Sequence, residues 1–173
     1  MRMGLYALTV KSLYLAAALA LAGRASADTA LVLDEHTPAS AAALITAERG
    51  TPVLAVVYAS TCSRSRASFP RILELAKRHA GKATVLAFAV DQNPEPLRQF
   101  LLGRALPFSP VWIKPWQKGE LVKAFKPLGL NVSGVLEMPL IAVIKSDGTL
   151  VQQWSPALDL SQAEAALTAA ESP

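Results

Sequence analysis

Cysteine is nearly absent from this chain of 173 residues: Cys62 stands alone, so no internal disulfide can form. Histidine is almost as scarce. His36 and His79 have no metal-spaced partner; both are expected at the surface, and no bound metal or other cofactor is called for. Aromatic residues make up 6% of the chain and form no ladder, and no long block of like charge occurs, which removes the common means of binding nucleic acid. Internal repeats and low-complexity linkers are missing as well. What remains is a chain long enough for one domain with a real core and hardly long enough for two.

The longest uninterrupted apolar run lies near the start. "MRMGLYALTVKSLYLAAALALAGRASA" places Arg2 and Lys11 ahead of a run from Leu13 to Ala22, and ends on the small residues Ala25 and Ala27. The run falls short of the about 20 apolar residues a spanning helix needs. Residues 1–27 therefore read as a bacterial-type signal peptide cut after Ala27, with an uncleaved anchor as the alternative, and residues 28–173 as an exported, periplasmic domain. A membrane association is expected only if the leader stays. The leader also distorts the charge balance. The whole chain has 17 basic and 13 acidic residues; without Arg2, Lys11 and Arg24 it has 14 against 13, close to neutral.

In an exported domain a single cysteine is either a buried structural thiol or a free thiol for chemistry between molecules. Its surroundings decide which. "TPASAAALITAERG" reads as a helix with Thr37 as N-cap, Pro38 in the first turn and Gly50 beyond its end. "PVLAVVYA" is a strand buried on both faces. A helix should begin just after Cys62, with Phe69, Ile72 and Leu73 at helical spacing, a kink at Pro70 and a stop at Gly81. "ATVLAFAVD" reads as a second buried strand and "PEPLRQFLLGRA" as a third helix ending near Gly103. A short strand over 110–114 and a helix over 118–125 follow. "PLIAVIKSDGTLVQQW" is a hairpin turning at Ser146-Asp147-Gly148, and a last helix is capped around Asp159 or Ser161. This alternation, closed by a hairpin, predicts an α/β sandwich.

Taken in order, these residues resemble the thioredoxin superfamily. Cys62-Ser63-Arg64-Ser65 stands where thioredoxins have Cys-x-x-Cys, Pro70 matches their helix proline, and "GKATVLAFAVDQNP" (81–94) aligns with a thioredoxin strand and turn. Met138-Pro139 precedes the hairpin where that family has its cis-proline loop. The longer stretch between, about 97–130, together with Arg66 and Phe69-Pro70, is similar to the exported TlpA-type group. The resemblance implies a thioredoxin fold, a central mixed sheet flanked by helices, with an extra α/β insertion before the cis-proline loop. It also implies that Cys62, Ser65, Arg64 and Pro139 form the reactive site, and that Thr61, Ser63, Met138 and Arg66 line the client groove. The departures are coherent. Ser65 replaces the second cysteine, Val56 the buried acid six residues before the first cysteine, Ala87 the lysine paired with that acid, and Thr61 the tryptophan before the cysteine.

The first turn of a helix offers unpaired N–H groups and the positive end of the dipole, which stabilise a thiolate. Arg64 and Arg66 add positive charge. Such settings lower a cysteine from about 8.5 to somewhere between about 3.5 and 7.5. A thiolate attacks a disulfide to give a mixed disulfide. Ser65 can hydrogen-bond the sulfur but cannot displace it, so release needs an outside thiol. Thiol–disulfide exchange, isomerisation and deglutathionylation are the chemistries this allows, with cysteine-containing exported proteins or low-molecular-weight thiols as partners. The alternative is a redox-inactive binding module or chaperone-like partner on the same fold. Cu(I) binding by Cys62 and Met138 would rest on two ligands only. A one-cysteine peroxidase fails on its motif, since Ala55 and Ala59 occupy the positions of the required proline and threonine.

Overall fold

In a computed structural model, residues 31–171 are described, except 115, 133–137 and 156–158. The expected leader lies outside the described residues. Strand β1 covers Asp34–His36, helix α1 Pro38–Ala47, β2 Val53–Tyr58, α2 Ser63–Arg78, β3 Thr84–Ala89 and α3 Pro94–Leu101. Then come β4 (Pro110–Ile113), α4 (Lys118–Phe125), a 3-10 turn over Lys126–Leu128, β5 (Leu140–Ile144), β6 (Leu150–Trp154) and α5 (Leu160–Glu171).

The strands form one mixed sheet in the order β1-β4-β3-β2-β5-β6. β1, β4, β3 and β2 run parallel, and β5 and β6 are antiparallel to β2 and to each other. The period of two explains why β2 is apolar throughout. Leu54, Val56 and Tyr58 pack on one face with Phe69, Ile72 and Leu75 of α2, Leu97 and Phe100 of α3, and Leu167 of α5. Val53, Ala55 and Val57 pack on the other with Ile45 of α1 and Leu121 and Phe125 of α4. Both faces are thus covered, as a largely parallel sheet requires. This is the sandwich the alternation predicts.

Local chemistry sets the element ends. Thr37 accepts from the Ser40 N–H, while the Ser40 hydroxyl accepts from the Thr37 N–H, a reciprocal cap with Pro38 just inside the helix. Asn93 caps α3 and Asp159 caps α5. α2 runs continuously through Pro70 and ends at Arg78, three residues before Gly81; there φ is +79°, the left-handed region that glycine enters freely, and the chain turns into β3.

Three expectations need correcting. β1 was not anticipated: Asp34-Glu35-His36 carries no apolar alternation, and the strand exists through its pairing with β4. β3 is fully buried only over its second half, because Thr84, Val85 and Leu86 remain partly exposed. His79 is not a surface residue. It is buried, and its Nδ1 lies 2.6 Å from Glu171 on α5, an acid distant in sequence that no local pattern links to it. His36 is half-buried between Asp34 and Ser40.

Candidate functional site

The thiol sits where β2 hands over to α2. Cys62 is the N-cap of α2 in extended conformation; its N–H donates to the Ala59 carbonyl (3.1 Å) and its carbonyl accepts from the Arg66 N–H (3.0 Å). Its sulfur is partly exposed and, as a neutral thiol, donates to the Met138 carbonyl at 3.6 Å. The Met138–Pro139 peptide bond is cis, and both residues are buried. Ser65 is fully buried one turn behind the thiol, and its hydroxyl accepts from the Ala59 N–H at 3.4 Å. Thr61, Ser63, Arg64 and Arg66 are exposed around the sulfur, and Arg66 donates to the Ser60 carbonyl at 3.3 Å. All eight residues singled out in the sequence therefore lie in the Thr61–Arg66 segment or in the Met138–Pro139 loop that meets it through Cys62.

Burial pushes the Cys62 thiol up, but opposing contributions outweigh it. The Ser65 N–H and hydroxyl, the Arg64 N–H and the Arg64 guanidinium together hold the thiol below its ordinary value. The neutral thiol caps nothing in α2; once ionised, it accepts from these same donors. The sulfur thus has the Met138 carbonyl on one side and the donors of the helix start on the other.

A second set of residues, unseen in the sequence, fixes this loop from below. The buried Asp91 carboxylate receives the Ser60 N–H at 3.0 and 2.9 Å and the Ser60 hydroxyl at 2.6 Å. Trp112 Nε1 donates to the Asp91 carbonyl (2.7 Å) and Trp116 Nε1 to the Val90 carbonyl (2.9 Å). The end of β3 is thereby tied to β4 and the loop after it, and the residue two before Cys62 is tied to the end of β3. The only sequence signal is an acid closing a buried strand. Beside it Tyr58 has a buried hydroxyl with no partner among the described residues; burial first, and then the Asp91 charge, raise it far above the ordinary tyrosine range.

Val56 and Ala87 are direct register partners on β2 and β3, both fully buried. Where the resemblance implies an acid–lysine pair in other chains, this chain has two packed apolar side chains. Among the described residues no group of three or more His, Cys, Asp or Glu is arranged to hold a metal ion. A surface hollow of about 670 Å³ lies at the opposite end of the sheet, lined by Gly50, Thr51, Gly81, Lys82 and Glu171 among others, and takes no part in the site.

This geometry agrees with the comparisons to known proteins. No family model matches the chain. A thioredoxin from Alicyclobacillus acidocaldarius is 43% identical over 49 residues, 28% of this chain and 47% of that protein, so the chain matches about half the length of this curated relative. A thiol:disulfide interchange protein of the thioredoxin family from Chlorobium tepidum superposes with a TM-score of 0.59 at 17% identity, covering 73% of this chain and 83% of that one. A secreted disulfide oxidoreductase from Mycobacterium tuberculosis gives 0.55 at 15% identity, over 72% and 85%. At such identities the likeness is one of fold. This chain has a mixed α/β, thioredoxin-like fold, with its single thiol at the start of α2.

Proposed function

We propose that the protein is an extracytoplasmic monothiol thiol–disulfide exchange protein. The carrying observation is the placement of Cys62: at the open N-terminus of α2, lowered in pKa, against the cis-proline loop and with no second thiol in the chain. The Cys62 thiolate attacks one sulfur of a client disulfide, the bond between the client sulfurs breaks, and the second client sulfur leaves as a thiolate. An outside thiolate, from a small molecule, another protein or the client itself, then attacks the mixed disulfide and returns Cys62. Ser65 stabilises the thiolate by hydrogen bonding, and its hydroxyl takes no redox part. With Val56 and Ala87 apolar, no buried acid or lysine at those positions can move a proton for an internal resolving step.

Export rests on the leader: residues 1–27 act as a signal peptide and residues 28–173 fold in the periplasm. The secreted oxidoreductase with the same fold supports that placement. The direct test is incubation with a disulfide-bonded peptide, followed by acid quench and mass measurement. A mass increase of one peptide half at Cys62, persisting until a thiol is added, supports the reading. No adduct over the pH range where the thiol ionises supports the redox-inactive binding module instead.

A further inference from the structure

The thiol end of α2 carries arginines that no carboxylate among the described residues answers. Among the described residues the single arginine–carboxylate ion pair is Arg78 with Glu164, at the other end of the same helix (2.8 Å). Arg64 and Arg66 lie in the first turn, which holds no acid, and the first acidic residue of α2 is Glu74. Arg66 is not simply waving in solvent. Its Cζ is 5.2 Å from the centroid of Phe100, and its guanidinium also donates to the Ser60 carbonyl. Arg104, exposed beyond the end of α3, has its Cζ 4.5 Å from the same ring and 5.9 Å from that of Phe69, and its Nε donates to the Phe100 carbonyl. One buried phenylalanine thus gathers two cations beside the residue two before the thiol.

Two guanidiniums of like charge meet at one ring, whose face attracts each of them. Each also donates to a backbone carbonyl, so a carboxylate arriving there meets guanidiniums that already have defined positions. The Asp91 carboxylate cannot serve, since it is turned inward to Ser60. The arrangement is positive and exposed.

We infer that Arg66 and Arg104, with Arg64, form a docking surface for acidic polypeptide clients, those with Asp or Glu flanking the cysteine that Cys62 attacks. This rests on the exchange reading above and names the client class for it. Opposite charge steers encounter and raises the association rate, and the same surface repels basic segments. Arg64 both docks and lowers the thiol, whereas Arg66 and Arg104 are held at the Phe100 ring.

The test uses three disulfide-bonded peptides that differ only in the residues flanking the cystine: Glu, Gln or Lys. The expected result at low salt is adduct formation about 10-fold faster with the Glu peptide than with the Gln peptide, and slowest with the Lys peptide. The Glu-to-Gln ratio should shrink toward one as salt is added and in Arg66→Gln/Arg104→Gln, while Arg104→Lys, which keeps the charge, retains most of it. Being a ratio within one protein, it is insensitive to a general loss of activity. Equal rates for the three peptides, or a ratio undiminished in the double variant, overturn the inference while leaving the exchange chemistry standing. No adduct with any peptide removes the exchange chemistry, and this inference with it.

Discussion

Helices α1 and α2 pack on opposite faces of the sheet, and their first turns are used in different ways. α1 closes its own start: Thr37 and Ser40 satisfy each other's N–H groups, Pro38 omits one more, and the exposed cap needs nothing from outside. α2 starts on a cysteine whose side chain makes no cap hydrogen bond, leaving the N–H groups of Arg64 and Ser65 to serve a thiolate. The far end of α2 is closed in turn, with Arg78 on Glu164 and His79 on Glu171. The same unpaired groups of a helix terminus stabilise the fold in α1 and activate a sulfur in α2.

The largest way to break this contrast is Cys62→Ser. It should abolish covalent capture of disulfide peptides, read by mass, while the fold remains, read by circular dichroism. Next comes the support beneath the α2 start. Asp91→Ala leaves the Ser60 N–H and hydroxyl buried without their acceptor, and should lower stability by about 3 kcal/mol in urea unfolding. A loss under about 0.5 kcal/mol would mean that the Ser60–Asp91 contacts do not pin the loop. Thr37→Ala should cost about 1 kcal/mol, as loss of a side-chain cap does, and leave the Cys62 titration where it was. Ser65→Ala should do the reverse: it removes a hydroxyl that lowers the thiol, so the Cys62 pKa rises and capture slows at neutral pH, recovering in the alkaline range where the thiol is ionised. An unchanged titration would take Ser65 out of the site.

The pH dependence of stability sharpens the same contrast. A thiol whose pKa is lower in the folded state releases its proton more readily there, so its contribution to stability is fully present above the unfolded pKa and is lost as pH falls through the folded one. The stability of the wild type relative to Cys62→Ser should therefore rise with pH between the lowered folded value and the ordinary one, and level off beyond it. A flat difference would place the folded and unfolded values together.

Periodicity and punctuation made most of the fold legible. β2, α2, α4 and the hairpin follow from apolar spacing, glycines and caps, and the residues around Cys62 follow from one thiol at a strand–helix junction. What escaped was long-range or depended on the backbone. β1 is a polar three-residue strand defined by its neighbour. The Ser60–Asp91 and His79–Glu171 contacts join residues 31 and 92 apart in the chain. Arg104 carries no signal at all, since its role depends on Phe100 being placed beside Arg66. The departures at Val56 and Ala87 were readable because the resemblance supplied the positions, and the strand register brings the two together.

The thiolate titration of Cys62, followed by ultraviolet absorbance with Cys62→Ser as the blank, tests the activation of this sulfur most directly. A midpoint clearly below that of an ordinary cysteine is the predicted result, from an open helix start that favours the anion. A midpoint at or above the ordinary value would show an inert thiol and contradict both the use made of the α2 terminus and the exchange chemistry built on it.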